Sequence, residues 1–155
     1  MTVETHPLGG HVGFMLRRAQ LSVFQDFQRH TASFDLTPAA YSVLLIVDGR
    51  PGIRQNRLTE LLIIKPANCV TLIHGLEKQG LLVREKVKVS GRAVALYLTD
   101  AGRALLARVD EKVQEHLKAM HDRLGADDYQ RLIHLLDKLV ASGGDALGDG
   151  LPEEV

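Results

Sequence analysis

Nine basic side chains fall between positions 50 and 92: Arg50, Arg54, Arg57, Lys65, Lys78, Arg84, Lys86, Lys88 and Arg92. Only three acids, Glu60, Glu77 and Glu85, oppose them. Clustered cations of this kind bind phosphate and release its counterions, so the segment is where a polyanion would dock. Arg54, Arg57, Lys65, Lys86, Lys88 and Arg92 are the candidate phosphate contacts. Among them sit Asn68, Thr71, His74 and Gln79, polar groups able to hydrogen-bond base edges. Asn68 and Thr71 are three apart and share one helical face. On charge alone, a solvated mixed surface is an equal competitor.

Other chemistries find less support. The chain has one cysteine and seven histidines. His116 and His121 are five apart rather than four, and no Cys/His/carboxylate cluster has ligand spacing, so no metal site is expected. No Gly-rich phosphate loop, nucleophile elbow or paired-carboxylate arrangement is present, which argues against an enzyme and against a bound cofactor. Cys69, near a helix start, offers a thiolate for oxidant sensing, but its apolar neighbour Val70 favours a buried structural thiol.

The elements that must hold these groups can be read from periodicity. Val12, Met15, Leu16, Ala19, Val23 and Phe27 recur at helical spacing from Leu8 to about His30. Thr37-Pro38 reads as an N-cap followed by proline at the first helical position, opening a helix that ends at the turn formers Asp48 to Gly52. A short helix over Gln55–Leu62 and another from Pro66 to Gly80, with Val70, Ile73 and Leu76 inward, have the outline of a helix-turn-helix. The segments 81–89 and 92–98 alternate about Ser90-Gly91 as a β-hairpin, with Val83 on its apolar face. Thr99-Asp100 then caps a helix of some 24 residues. Asp127 to Ala141 forms a last helix with Leu132, Ile133, Leu136, Leu139 and Val140 inward, and 142–155 reads as a flexible acidic tail.

The expected fold is therefore mainly α (α+β): a winged helix-turn-helix lobe over 36–98, flanked by a helical dimerisation region at 8–30 and 99–141. The terminal helices carry longer apolar stripes than a small lobe can cover, which points to a homodimer. In 155 residues, nineteen Lys+Arg balance nineteen Asp+Glu. That excludes a uniformly basic surface but not a basic middle. No apolar run approaches the roughly 18 residues of a membrane span. Met1 leads into polar Thr2, Glu4 and His6, so a reducing cytoplasmic setting is expected.

With these elements in order, the chain resembles the MarR/SlyA family of dimeric winged-helix transcription regulators over residues 8 to 141. Two stretches carry the likeness. "RLTELLIIKPANCVTLIHGLEKQGLLVRE" closes its helix with Leu76-Glu77-x-x-Gly80-Leu81, and "GRAVALYLTDAGRALL" opens the long helix with Leu98-Thr99-x-x-Gly102. The family's wing usually carries Asp-Arg-Arg, where this chain has Ser90-Gly91-Arg92. Only Arg92 matches, so the minor-groove role falls to Arg92, Lys88 or Lys86.

The resemblance implies a repressor on a pseudo-palindromic double-stranded DNA operator, released by a small molecule bound between the dimerisation helices and the DNA-binding lobe. His11, Phe14, Arg17, Arg18 and Tyr41 are the candidate lining, aromatic and cationic groups suited to an aromatic acid or its acyl conjugate. The alternatives are a winged-helix protein-interaction module and an oxidant-sensing regulator acting through Cys69.

Overall fold

A computed structural model describes residues 6–86 and 94–142. The order of elements is α1 (Val12–Thr31), α2 (Pro38–Gly49), β1 (Ile53–Arg54), α3 (Gln55–Leu62), α4 (Pro66–Lys78), β2 (Leu82–Lys86), β3 (Val94–Leu98), α5 (Asp100–Leu124) and α6 (Ala126–Ser142), with a single 3₁₀ turn at Ala32–Phe34 after α1. The helix starts obey their local chemistry. Thr37 accepts a hydrogen bond from the Ala40 amide at 3.1 Å ahead of Pro38, and Thr99 accepts one from the Gly102 amide at 3.0 Å.

The three strands form an antiparallel sheet in the order β1-β3-β2. Leu82 is opposite Leu98 and Ile53 opposite Leu96. One core joins sheet and helices: Val43, Leu44 and Val47 of α2, Leu58 of α3, Ile73 and Leu76 of α4 and Leu96 of β3 are all essentially inaccessible. Each such aliphatic side chain contributes roughly 1.5–3 kcal/mol by leaving water, and together they fix α3 and α4 against α2 and the sheet.

Four sequence expectations are corrected. Strand β1 was not foreseen, because two residues are too few to show alternation; only pairing with β3 makes them a strand. In β2 it is Leu82, not Val83, that is buried. β2 is an edge strand, and beyond Leu82 its residues are exposed. In α4 the inward stripe is Cys69, Ile73 and Leu76, and Val70 points to solvent. In α6, Leu132, Ile133, Leu139 and Val140 are about half exposed, because the described residues of one chain do not cover that face. The hairpin turn with Lys88, Ser90, Gly91 and Arg92, and the tail beyond Ser142, lie outside the described residues.

Candidate nucleic-acid interface

The buried stripe Cys69–Ile73–Leu76 turns the opposite face of α4 outward. Asn68, Val70, Thr71, His74, Lys78 and Gln79 are all exposed there. The expected polar set thus shares one solvent-facing surface, and the one-residue shift of the stripe adds Val70, an apolar group suited to a thymine methyl. Thr71 donates its hydroxyl to the Ala67 carbonyl at 3.1 Å, which leaves its oxygen lone pairs directed outward.

The cations surround this helix. Lys65 is the N-cap residue of α4, in an extended conformation before Pro66. Arg54 ends β1, and with Arg50, Asn56 and Arg57 it borders an open depression of about 420 Å³. Arg57 is held at 2.6 Å by Glu60, with both side chains 58% exposed. In such an exposed pair the arginine is cheaply redirected to phosphate. Arg84 of β2 pairs with Glu77 of α4 at 3.2 Å, fastening the strand to the helix. Helical and strand periodicity do not reveal this tie, since it depends on the reversal at Gly80 between α4 and β2. Lys86 is exposed at the end of β2.

The end of α4 is joined to α5 by a small knot. The Thr99 hydroxyl donates to the Gly80 carbonyl at 2.6 Å while its amide donates to the Leu81 carbonyl at 3.1 Å. Gly80 itself takes a left-handed φ of 70°. The two stretches that carried the family likeness are therefore one structural joint.

Behind the recognition helix lies a cavity of about 300 Å³, walled by Gln20 and Phe24 of α1, Pro38 and Ser42 of α2, the 62–64 connection, and Lys65, Asn68 and Leu72. Ile63 in this wall has φ 54°, a left-handed conformation costly for a β-branched side chain. Of the residues expected to line an effector pocket, none borders this cavity. His11, Arg17 and Arg18 are exposed on the first turns of α1, Arg18 lies 5.8 Å from the Phe14 ring centre, and Phe14 stacks on His6. Tyr41 packs against Phe27, and its burial, with Asp110 nearby, raises its hydroxyl pKa. Cys69 is fully buried.

The tertiary structure also assembles a group that spacing between histidines alone did not reveal. Asp26 and His30 of α1 meet His116 of α5, and their ligating atoms lie within 4.8 Å of one another. The expectation that no such cluster forms is corrected. The missed signal was Asp26-x-x-x-His30, one turn apart on a helix. His116 Nδ1 lies 2.8 Å from Asp26 Oδ2, and Arg29 donates to Asp26 Oδ1 at 2.6 Å. Burial pushes the Asp26 carboxyl upward, but the His116 hydrogen bond and the charges of His30, Arg29 and His116 outweigh it, so its pKa lies below the ordinary value.

Comparison with known proteins bears on this arrangement. Residues 34–93 match the sequence model of the MarR family. A proposed transcriptional regulator for the hcr operon of Thauera aromatica is 31% identical over 133 residues, covering 85% of this chain and 80% of that protein. The homoprotocatechuate degradative operon repressor of Escherichia coli is 25% identical, covering 86% and 88%. The transcriptional repressor CouR bound to a 23-mer DNA duplex superimposes with a TM-score of 0.82 at 39% identity, covering 86% of this chain and 94% of that one. CouR bound to p-coumaroyl-CoA superimposes with a TM-score of 0.81 at 37% identity, covering 88% and 96%.

Proposed function

The chain belongs to the MarR family of winged-helix transcriptional regulators, and from that premise we propose that it is a repressor which binds a pseudo-palindromic operator as a homodimer and leaves it when an aromatic acid, or its acyl conjugate, enters the cavity behind α4. One observation carries this reading: Lys65 and Asn68 line that cavity and stand at the N-terminal end of the recognition helix. An occupant that takes up the Lys65 ammonium or displaces Asn68 acts directly on the groups that would meet DNA, and favours a state in which they are misplaced. Phe24, Pro38 and Leu72 supply apolar walls for an aromatic ring, and Lys65 supplies a counter-charge for a carboxylate or a hydrogen bond to a thioester oxygen.

Arg17 is three residues before Gln20 and seven before Phe24, so it shares their face of α1 one turn outside the cavity. It is placed to hold the phosphates of an acyl conjugate whose ring lies inside. His11, Phe14 and Arg18 extend that outer surface, while Tyr41 serves on the core side. Arg54, Arg57 and Lys86, with Lys88 and Arg92 of the turn, contact phosphate, and Asn68, Thr71 and His74 read bases.

The homodimer reading rests on apolar surface left uncovered within one chain. Leu16 and Val23 on α1, Leu117 and Leu124 on α5, and five aliphatic residues of α6 are all more than a third exposed. That is more apolar helix surface than a monomer leaves in water. In this reading 8–30 and 99–141 pair across the two-fold axis and 36–98 faces DNA. No described helix is long and apolar enough to cross a membrane.

Footprinting on the promoter beside this gene tests the proposal. It should show a two-fold protected site whose halves are about one helical turn apart, with protection lost on adding p-coumaroyl-CoA or p-coumarate. No two-fold site would refute the repressor reading. A site indifferent to both compounds would refute the aromatic effector alone.

A further inference from the structure

The Asp26–His30–His116 cluster takes no part in the interface or the cavity, yet two of its members are among the most completely buried polar groups described. Asp26 is 4% and His116 5% exposed, and together with Thr31 they are the buried polar residues described. We infer that Asp26, His30 and His116 form a binding site for a single divalent transition-metal ion, with Zn²⁺ its best match, fastening α1 to α5.

The donor set is two imidazoles and one carboxylate, the nitrogen and oxygen ligands Zn²⁺ accepts at roughly 2.0–2.2 Å. Ligands at such distances around a tetrahedral ion stand a little over 3 Å apart. The separations here bracket that value: His116 Nδ1 is 2.8 Å and His30 Nδ1 3.5 Å from Asp26 Oδ2. A small outward movement of each group admits the ion. A donor set without sulfur or a ring of carboxylates disfavours Cu⁺ on the one hand and Ca²⁺ or Mg²⁺ on the other.

The surroundings are those of an ordered ligand shell. The His116 and Phe27 rings stand perpendicular with centroids 5.7 Å apart, a contact that restrains the imidazole plane. His30 Nδ1 rests 2.9 Å from the Asp26 carbonyl oxygen, one helical turn back, and exchanges that contact for the ion by a change of ring orientation. Arg29 at 2.6 Å and Arg123 at 3.9 Å both address Asp26 Oδ1, which leaves Oδ2 turned toward the imidazoles. Those two guanidinium groups are 71% and 54% exposed, so their charge is screened and they can swing into water when a dication arrives. Binding requires Nδ1 of both His116 and His30 to be free of its proton: a neutral ring presents it as the Nε2–H tautomer, and a charged ring gives up one proton to solvent.

The test uses the full chain without an affinity tag, stripped with chelator and titrated with Co²⁺ as a spectroscopic substitute for Zn²⁺. One Co²⁺ per chain should bind with the intense visible absorption of a four-coordinate nitrogen–oxygen site, be displaced by Zn²⁺, and raise Tm. His30 is only half-buried, so His30→Ala keeps the fold, as circular dichroism will check, and should weaken Zn²⁺ binding at least about tenfold, the loss that even an outer-shell change produces. His134→Ala, on exposed α6, should change nothing. Absence of a Co²⁺ spectrum in the wild-type protein overturns the inference, and so does equal binding by His30→Ala, which would mean adventitious ions on surface imidazoles.

Discussion

Gly102 at the start of α5 lies against the backbone of Leu81 so closely that a Cβ at position 102 would stand 2.1 Å from the Leu81 carbonyl oxygen. The obstacle is backbone, held by its own hydrogen bond from the Thr99 amide, and so cannot yield as a flexible side chain would. Gly102→Ala should therefore destabilise the protein by about 3 kcal/mol, read as a lower urea midpoint. Because Leu81 directly follows the recognition helix, operator affinity should fall with it. Gly75, where an added Cβ meets open space, is the matched control: Gly75→Ala should be neutral or stabilising in the same assay.

Thr99 fills two roles with one hydroxyl, donating to Gly80 and accepting from the Gly102 amide. Thr99→Val keeps the shape and removes both bonds, at a cost of about 1–2 kcal/mol. Thr99→Ser should retain most of the stability. A loss in Thr99→Ser with none in Thr99→Val would show that the methyl group, not the hydroxyl, holds the joint.

The exposed cations and the exposed polar groups of α4 should separate cleanly in DNA binding. Lys86→Ala and Arg54→Ala should weaken binding to every duplex and each reduce the salt slope of log affinity by about one. Asn68→Ala should leave that slope nearly unchanged and relax sequence preference, costing about 1–3 kcal/mol on the preferred operator only. Titrations at several salt concentrations, with operator and scrambled duplexes, distinguish the two patterns.

Phe24 lines the cavity but is 38% exposed, so its truncation is cheap for folding. Phe24→Ala should raise the concentration of p-coumaroyl-CoA needed to release DNA about tenfold, the equivalent of about 1.4 kcal/mol, and leave ligand-free DNA affinity intact. Fluorescence anisotropy of a labelled operator reads both quantities.

In chelator-treated protein, Asp26 makes stability depend on acid. Its folded pKa lies below the ordinary 3.8, so the unfolded chain takes up a proton first as pH falls. The stabilisation is complete above about 3.8 and is lost as pH drops below it toward the folded value. Urea midpoints measured down this range should fall more steeply for the wild type than for Asp26→Asn, which starts less stable and lacks that titration.

Much of this was legible without coordinates. The capping threonines, the two helix-starting prolines, the period of α1 and α5 and the basic stretch from 50 to 92 are local signals, and each places an element or a charge by rules that act within a few residues. They suffice for the winged-helix order and for the exposed face bearing Asn68, Thr71 and His74. Two of the departures are of one kind. Val70 for Cys69 and Val83 for Leu82 are choices between adjacent apolar positions, and only the partner surface decides those; whether α6 has an inward face at all depends likewise on what packs against it.

What the sequence by itself determined is the list of elements, their ends and the sign of charge along the chain, because hydrogen-bond capping and hydrophobic period are properties of neighbours in sequence. What the tertiary structure decided is every relation across long separations: Asp26 with His116, Arg84 with Glu77, Gly102 against Leu81, and the cavity that Lys65 and Asn68 share with α1. Those depend on how helices and strands pack, and packing is set by the summed fit of many side chains that no single spacing encodes.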